Sequence, residues 1–373
     1  MQRTFAILAL MGGLATSAQA QRSWEPEIGI QAGYTKVKPA GTGASDAQSF
    51  IMLPGASTVA PLLTYGSLYA IIPWSNKIAV EPTWGFSQFQ VGAGGATATR
   101  IGARIDYAIT PKFYGAAGGV LNYLESNGNH GTQLGVQLGL GYRLRLTQGL
   151  NGRIEAQWVS AKNADNVTGP FNAYSALIGV SAPLSGGTGR TSATTRGARS
   201  SASNSVWSRA IGFTAGYSRV HAVGGADFVF LSAPGVGGSL PGLGAYSPTP
   251  PVLFAIFPIG RKIALEPGLD LTSIDQGSGA AMGVALGVRL NYAVVHGWYG
   301  AIGGQLSHVN PSTGSSASVF GGTIAWGDRF NLTSRLGGRV ELNYLTFPGN
   351  TNPNIGAATN TLSLLFGLTM PLR

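Results

Sequence analysis

Two stretches of this chain decide its fold: IGIQAGYTKV at Ile28–Val37 and IGFTAGYSRV at Ile211–Val220. Four further segments recur in the same order about 185 residues later: KIAVEP (Lys77–Pro82) as KIALEP (Lys262–Pro267), GARIDYAI (Gly102–Ile109) as GVRLNYAV (Gly287–Val294), FYGAAGG (Phe113–Gly119) as WYGAIGG (Trp298–Gly304), and NGRIEAQW (Asn151–Trp158) as GGRVELNY (Gly337–Tyr344). The chain is therefore an internal duplication. Both copies retain a pattern of strands rather than a set of catalytic residues.

The N-terminus and the stretch between the copies set the domain boundaries. Arg3, the apolar run Phe5–Leu14 and the triplet Ala18-Gln19-Ala20 predict a signal peptide cleaved after Ala20. Ser185–Ser205 has no aromatic residue and no aliphatic residue larger than Ala, which predicts a flexible linker. The predicted domains are a signal peptide (1–20), a first β-barrel repeat (21–184), the linker (185–205) and a second β-barrel repeat (206–373).

Composition narrows the class of protein. Charged residues make up 10% of the chain, against about 25% in ordinary soluble domains. Glycine contributes 57 of 373 residues, cysteine is absent, and no apolar run after the signal peptide is long enough for a membrane helix. An exported chain of this kind is predicted to be a closed membrane β-barrel. The net charge of +10 is not gathered with aromatic residues on one face, so no nucleic-acid partner is expected.

Each copy contains eight alternating segments, most of them about 10–13 residues long, which is enough for a tilted strand to cross a bilayer. Short connections alternate with long ones, and the longest are Lys38–Pro61 and His221–Pro250. Outer-membrane barrels have short periplasmic turns and long extracellular loops. The pattern therefore predicts loops outside the cell and the linker in the periplasm.

The charged residues fall on one face of the predicted strands. In Ile101–Tyr107 the odd positions are apolar, whereas the even positions are Gly102, Arg104 and Asp106. A basic side chain facing lipid at the bilayer midplane costs about 2–4 kcal/mol, so the charges are predicted to point inward. Unrelated charges on a soluble sheet, or a catalytic carboxylate pair, are the alternatives.

Ion pairs are predicted inside each barrel, because an unpaired buried charge is costly. Glu81 and Glu155 are expected to pair with Arg104, Arg153 or Arg143 in the first barrel. Glu266, Asp270 and Glu341 are expected to pair with Arg289 and Arg339 in the second. These ten residues are predicted to be structural, and no catalytic, cofactor-binding or metal-binding residue is predicted.

The chain resembles the eight-stranded outer-membrane β-barrel superfamily, the OmpA-like or opacity-porin-like β-barrel domain. The features that carry the resemblance are the predicted signal peptide, the motifs K-I-A-[VL]-E-P and G-x-R-[IL]-[DN]-Y, and the closing strand LSLLFGLTMPL (Leu362–Leu372). The resemblance implies an all-β, antiparallel up-and-down transmembrane barrel in the outer membrane of a Gram-negative bacterium, inserted by the outer-membrane assembly machinery. The duplication predicts two tandem eight-stranded barrels. One sixteen-stranded barrel is the alternative.

The predicted function is that of a non-enzymatic structural anchor that presents extracellular loops. Its expected partners are outer-membrane lipid, the assembly machinery and an extracellular ligand of the long loops. A porin-like passive channel for small solutes is the first alternative. The second is a lipid-modifying or proteolytic enzyme with a site at the rim, where His130 and His308 lie in corresponding loops.

Overall fold

The computed structural model describes residues 24–40, 47–52, 68–91, 94–126, 128–147, 149–162, 169–184, 206–225, 227–233, 249–275, 280–295, 297–311, 314–333, 336–349 and 357–372. The predicted signal peptide and linker lie outside these ranges. The strands are β1 (Glu27–Pro39), β2 (Gln48–Met52), β3 (Leu68–Pro73), β4 (Ile78–Val91), β5 (Gly94–Ala108), β6 (Phe113–Ser126), β7 (Asn129–Thr147), β8 (Leu150–Ala161), β9 (Phe171–Pro183), β10 (Ala210–Ala222), β11 (Asp227–Ala233), β12 (Leu253–Pro258), β13 (Ile263–Asp275), β14 (Ala280–Val295), β15 (Trp298–Pro311), β16 (Ala317–Asn331), β17 (Gly337–Phe347) and β18 (Thr359–Pro371). Among the described residues, no helix is long and apolar enough to span a membrane.

Each copy closes on itself by pairing its first strand with its last. β1 runs antiparallel to β9, from Glu27 opposite Pro183 to Pro39 opposite Phe171. β10 pairs with β18 in the same way. The prediction of an all-β fold with two closed eight-stranded antiparallel barrels is confirmed. We call the end that holds Glu27 and the short connections the turn end, and the opposite end the loop end.

Tight hydrogen-bonded turns join neighbouring strands at the turn end. The amide of Trp74 donates to the carbonyl of Ile78 at 2.9 Å, and that of Ile109 donates to Phe113 at 2.9 Å. Ser75 and Thr110 turn their hydroxyls to backbone amides of the same turns, as short polar side chains commonly do. These connections fix the register of the strands on either side.

The second strand of each barrel is interrupted, which the sequence did not predict. β2 covers the loop-end half of β1 and β3 covers its turn-end half. β11 and β12 divide β10 in the same way. β2 and β11 lie within Lys38–Pro61 and His221–Pro250, so the prediction that these stretches are entirely loop is wrong. Five to seven alternating residues among glycine, serine and proline are too short a signal to identify a strand.

The two barrels exchange these short strands. The free edge of β2 pairs with β13 of the other copy, where Met52 lies opposite Thr272. The free edge of β11 pairs with β4, from Phe228 opposite Val91 to Ala233 opposite Phe86. β3 and β12 remain with their own copies. At the loop end, the strands therefore form one ring of sixteen when each is followed to its hydrogen-bonded neighbour. This ring crosses from one copy to the other twice.

The turn-end halves of the barrels pack against each other through apolar side chains. Strands β1, β8 and β9 contribute Ile30, Leu150 and Ala182, and the second copy contributes Phe213 and Met370, among others. Each of these side chains points away from its own lumen. The interface therefore covers apolar surface that an isolated barrel would expose.

Elsewhere the outward faces remain exposed and the inward faces are buried. On β5, Ile101 on the outer face is 57% exposed, whereas Arg104 on the inner face is 2% exposed. In the second copy Ile302 is 68% exposed, whereas Glu341 is 1% exposed. The apolar side chains therefore face outward and the charges face inward, as the alternation predicts.

Candidate functional site in the barrel interiors

A network of charged side chains crosses the interior of the first barrel. Arg104 on β5 donates to both carboxylate oxygens of Glu155 on β8, at 2.5 and 2.6 Å, and lies 3.0 Å from Glu81 on β4. Arg153 on β8 donates to Glu81 at 2.5 Å. The hydroxyl of Tyr114 on β6 donates to Glu155 at 2.5 Å. Strands from opposite walls are thus joined across the lumen.

The second barrel contains the same network at the corresponding positions. Arg289 donates to both oxygens of Glu341 at 2.6 Å and to Glu266 at 2.9 Å. Arg339 donates to both oxygens of Glu266 at 2.9 Å, and Tyr299 donates to Glu341 at 2.6 Å. Arg104, Glu81, Glu155 and Arg153 thus each have a counterpart of the same type in the second barrel.

Aromatic rings cover the two networks from inside the lumen. The guanidinium carbon of Arg153 lies 3.6 Å from the ring centroid of Tyr69, and that of Arg339 lies 3.7 Å from the ring centroid of Phe254. These cation–π contacts shield charges that already share hydrogen bonds with carboxylates. The arrangement satisfies the requirement that a buried charge be paired.

The chain itself helps to fill the second barrel. Pro251, just before β12, lies against Gly268 and Gly287, where an added Cβ would come within 2.8 Å of the proline ring. The carbonyl of Thr249 accepts a hydrogen bond from Gln305 at 2.9 Å. The cavity left beside the network is about 30 Å³, which is room for about two water molecules.

The structure places two of the predicted charged residues differently from the rest. Arg143 pairs with Glu27 at the turn end rather than with Glu81 or Glu155. Asp270 is buried on β13, toward the loop end from Glu266. Sequence reasoning missed Glu27 because it is the first residue of β1, although the alternation places it on the same face as Gly29 and Gln31. It also left Asp106 out of the pairs, although Asp106 lies 3.1 Å from the Nε of Arg104.

The described histidines lie on the loop-end halves. Nδ1 of His308 lies 2.8 Å from the Oγ of Ser318, and Nδ1 of His221 lies 2.6 Å from Asp227. His130 on β7 is opposite Glu125 on β6. Within the described ranges, no three His, Asp or Glu side chains are grouped so that they could hold a metal ion.

The interior and the outer wall together define the class of architecture. Two antiparallel barrels with apolar outer faces and ion-paired interiors are built as the eight-stranded outer-membrane β-barrels are. No family model and no curated protein matches the chain.

The solved structures that match the chain include the following three. The CymD monoaromatic hydrocarbon channel is 9% identical, with 98% of this chain and 92% of that chain covered and a TM-score of 0.30. The attachment invasion locus protein Ail of Yersinia pestis is 13% identical, with 43% and 99% covered and a TM-score of 0.26. An outer membrane channel from Pseudomonas putida F1 is 10% identical, with 95% and 100% covered and a TM-score of 0.26. At these values the likeness assigns no function, and the fold is established by the strand pairing above.

Proposed function

We propose that the chain is a non-enzymatic outer-membrane protein whose joined barrels anchor loop-end segments at the cell surface. The proposed location rests on the outer wall, where apolar side chains cover the strands of both barrels. Lipid is the solvent in which such a wall is stable, because exposed apolar surface of this extent is unfavourable in water.

The observation that carries the anchor proposal is the pair of charge networks that cross the lumens. A porin needs a water-filled lumen. Here Arg104 and Arg289 each bridge two carboxylates on other strands at 2.5–3.0 Å. These bonds leave no passage for a solute at this level without breaking buried ion pairs, so we favour an anchor over a passive channel.

Conductance in a planar lipid bilayer tests the closed lumen. The full chain, folded in detergent and inserted from dilute solution, is expected to give no stepwise conductance in the nanosiemens range. A general porin inserted in the same bilayer is the positive control. Regular ohmic steps from the wild-type chain would contradict the anchor proposal and support the channel.

Epitope tags in intact cells test the orientation. A tag inserted between β8 and β9, within 163–168, is expected to bind antibody on intact cells, because Ala161 of β8 and Phe171 of β9 lie at the loop end. The same tag in the linker at 185–205 is expected to bind only after the outer membrane is permeabilised. The reverse pattern would contradict the proposed display of the loop end.

A further inference from the structure

The turn end of the first barrel is built around one carboxylate. Glu27 pairs with Arg143 and also accepts hydrogen bonds from Asn151 at 3.0 Å and from Ser181 at 2.5 Å. The Arg143 guanidinium lies over the ring of Trp24, with 4.6 Å between its carbon and the ring centroid. A cation, its carboxylate and two further donors thus close this mouth of the lumen.

The second barrel lacks the carboxylate in the same setting. The strand register identifies the counterparts. Ala210 corresponds to Glu27, because Ala210 is opposite Pro371 as Glu27 is opposite Pro183. Arg329 corresponds to Arg143, because each is opposite an arginine of the charge network, Arg339 and Arg153 respectively. By the same register, Gly337 replaces Asn151 and Thr369 replaces Ser181. Arginine, aromatic ring and hydroxyl are therefore retained, while alanine and glycine stand where the carboxylate and the amide were.

A cavity of about 690 Å³ lies beside these two positions at the turn end of the second barrel. Its walls include Ala210, Arg329, Gly337, Thr369 and the exposed Arg209. The volume is in the range of small-molecule sites. The cavity therefore lies where the first barrel holds the side chain of Glu27.

Arg329 faces this cavity already oriented. Its guanidinium carbon lies 3.5 Å from the ring centroid of Trp207, whose indole donates to the carbonyl of Lys262 at 2.9 Å. The buried Nε of Arg329 has no hydrogen-bond partner among the described residues, and no carboxylate in that part of the chain forms a salt bridge with its guanidinium. A guanidinium held flat in this way presents a fork of donors that matches a carboxylate.

We propose that this cavity binds a small organic carboxylate, which pairs with Arg329 as Glu27 pairs with Arg143. The Thr369 hydroxyl is placed to donate a second hydrogen bond, as Ser181 does in the first barrel. Arg209 adds positive charge at the opening. This site goes beyond the anchor function. Binding at it requires only residues of the second barrel and does not depend on the display of loops.

Isothermal titration of the full chain in detergent, with glutarate as the probe, tests the site. Each end of glutarate is a carboxylate on a methylene chain, like the side chain of Glu27. Glutaramide has the same carbon chain but carries uncharged amides. We expect one glutarate per chain and no binding of glutaramide. Binding of neither ligand, or equal binding of both, would overturn the proposal. Inorganic phosphate that binds as tightly as glutarate would overturn its restriction to carboxylates.

Matched variants in the two barrels locate the site. Arg329→Met is expected to weaken glutarate binding at least tenfold, whereas Arg143→Met leaves it unchanged because Arg143 belongs to the other barrel. Ala210→Glu supplies an internal carboxylate and is expected to abolish binding while the protein still folds. Glutarate binding that survives Ala210→Glu would overturn the proposal.

The converse variant asks whether the same site can be made in the first barrel. Glu27→Ala removes the internal carboxylate beside Arg143, and the stoichiometry is expected to rise from one glutarate to two. Heat-modifiable migration on unheated gels verifies that each variant is folded. A folded Glu27→Ala chain that still binds one glutarate would show that the retained arginine, ring and hydroxyl do not suffice, which overturns the reasoning from the first barrel.

Discussion

The turn-end and loop-end halves of this molecule have diverged to different degrees. In the turn-end halves, Arg104, Glu155 and Tyr114 have one-for-one counterparts in Arg289, Glu341 and Tyr299, with nearly equal distances. In the loop-end halves, the first barrel buries Arg100 beside Gln137 and Asn122. The second barrel instead buries an apolar cluster of Val309, Ala317, Val319, Leu345 and Phe347. The charge networks thus define each barrel as a unit, while the loop-end halves differ between copies.

The same division separates the two kinds of strand pairing. Each turn-end half is closed by its own β3 or β12, whereas each loop-end half borrows β2 or β11 from the other copy. The exchange makes each loop-end half incomplete alone, because an unpaired strand edge exposes backbone donors and acceptors. The duplication therefore produced two closed barrels that are joined by shared strands at the loop end.

The largest expected effect concerns the exchange itself. The chain has no cysteine, so cysteines placed at Ser87 and Ser232, which are opposite each other on β4 and β11, can form one defined disulfide. After oxidation and trypsin cleavage in the linker near Arg190, nearly all of the denatured protein is expected to migrate as joined halves. Reduction should separate them.

A matched pair of cysteines discriminates the alternative pairing. Without the exchange, β11 would lie beside β13 of its own copy. Cysteines at Ser232 and Thr272 would then come together instead, because Thr272 on β13 corresponds to Ser87 on β4. That disulfide would lie within one half, so cleavage would separate the halves even without reduction. Separation of the Ser87/Ser232 variant under oxidising conditions would show that the barrels close independently at both ends.

Loss of an arginine from either network should have the next largest effect. Arg104→Ala leaves Glu155 and Glu81 buried with less compensation, and breaking a buried pair in this way costs about 3–5 kcal/mol. Arg289→Ala should lower the free energy of unfolding by a similar amount, measured by urea titration in lipid vesicles. The double variant Arg104→Met/Glu155→Gln should lose less, because it removes both charges. A cost for Arg104→Ala below about 1 kcal/mol would mean that the network is not paired as described.

Much of this comparison could be predicted from sequence, and the reason is the alternation of side chains. Because strand neighbours point to opposite faces, Arg104 and Glu155 could be assigned to the lumen once the apolar faces were recognised. Because the second copy repeats these segments, Arg289 and Glu341 could be assigned to the second lumen in the same way.

The exchange could not be predicted in the same way. The first residues of β4 and β13 belong to the nearly identical segments KIAVEP and KIALEP, so no local pattern indicates which edge β2 joins. Glu27 was missed for a different reason, since it is the first residue of its strand and forms its ion pair with Arg143, which is distant in sequence. The cavity beside Arg329 was missed because small residues, Ala210 and Gly337, line it, and a motif search looks for chemically active residues.

The smallest expected effect comes from the tyrosines that complete the networks. Tyr114→Phe removes one hydrogen bond to Glu155, which keeps both of its bonds from Arg104. Hydrogen bonds to charged groups contribute about 1.5–3 kcal/mol, and the carboxylate that remains paired should place the loss near the lower value. Tyr299→Phe should cost a similar amount, because Glu341 likewise keeps both of its bonds from Arg289. Tyr123→Phe, on the exposed face, is the control and should be close to neutral. Unequal costs for Tyr114→Phe and Tyr299→Phe in urea titrations would show that the diverged loop-end halves alter the strength of the networks below them.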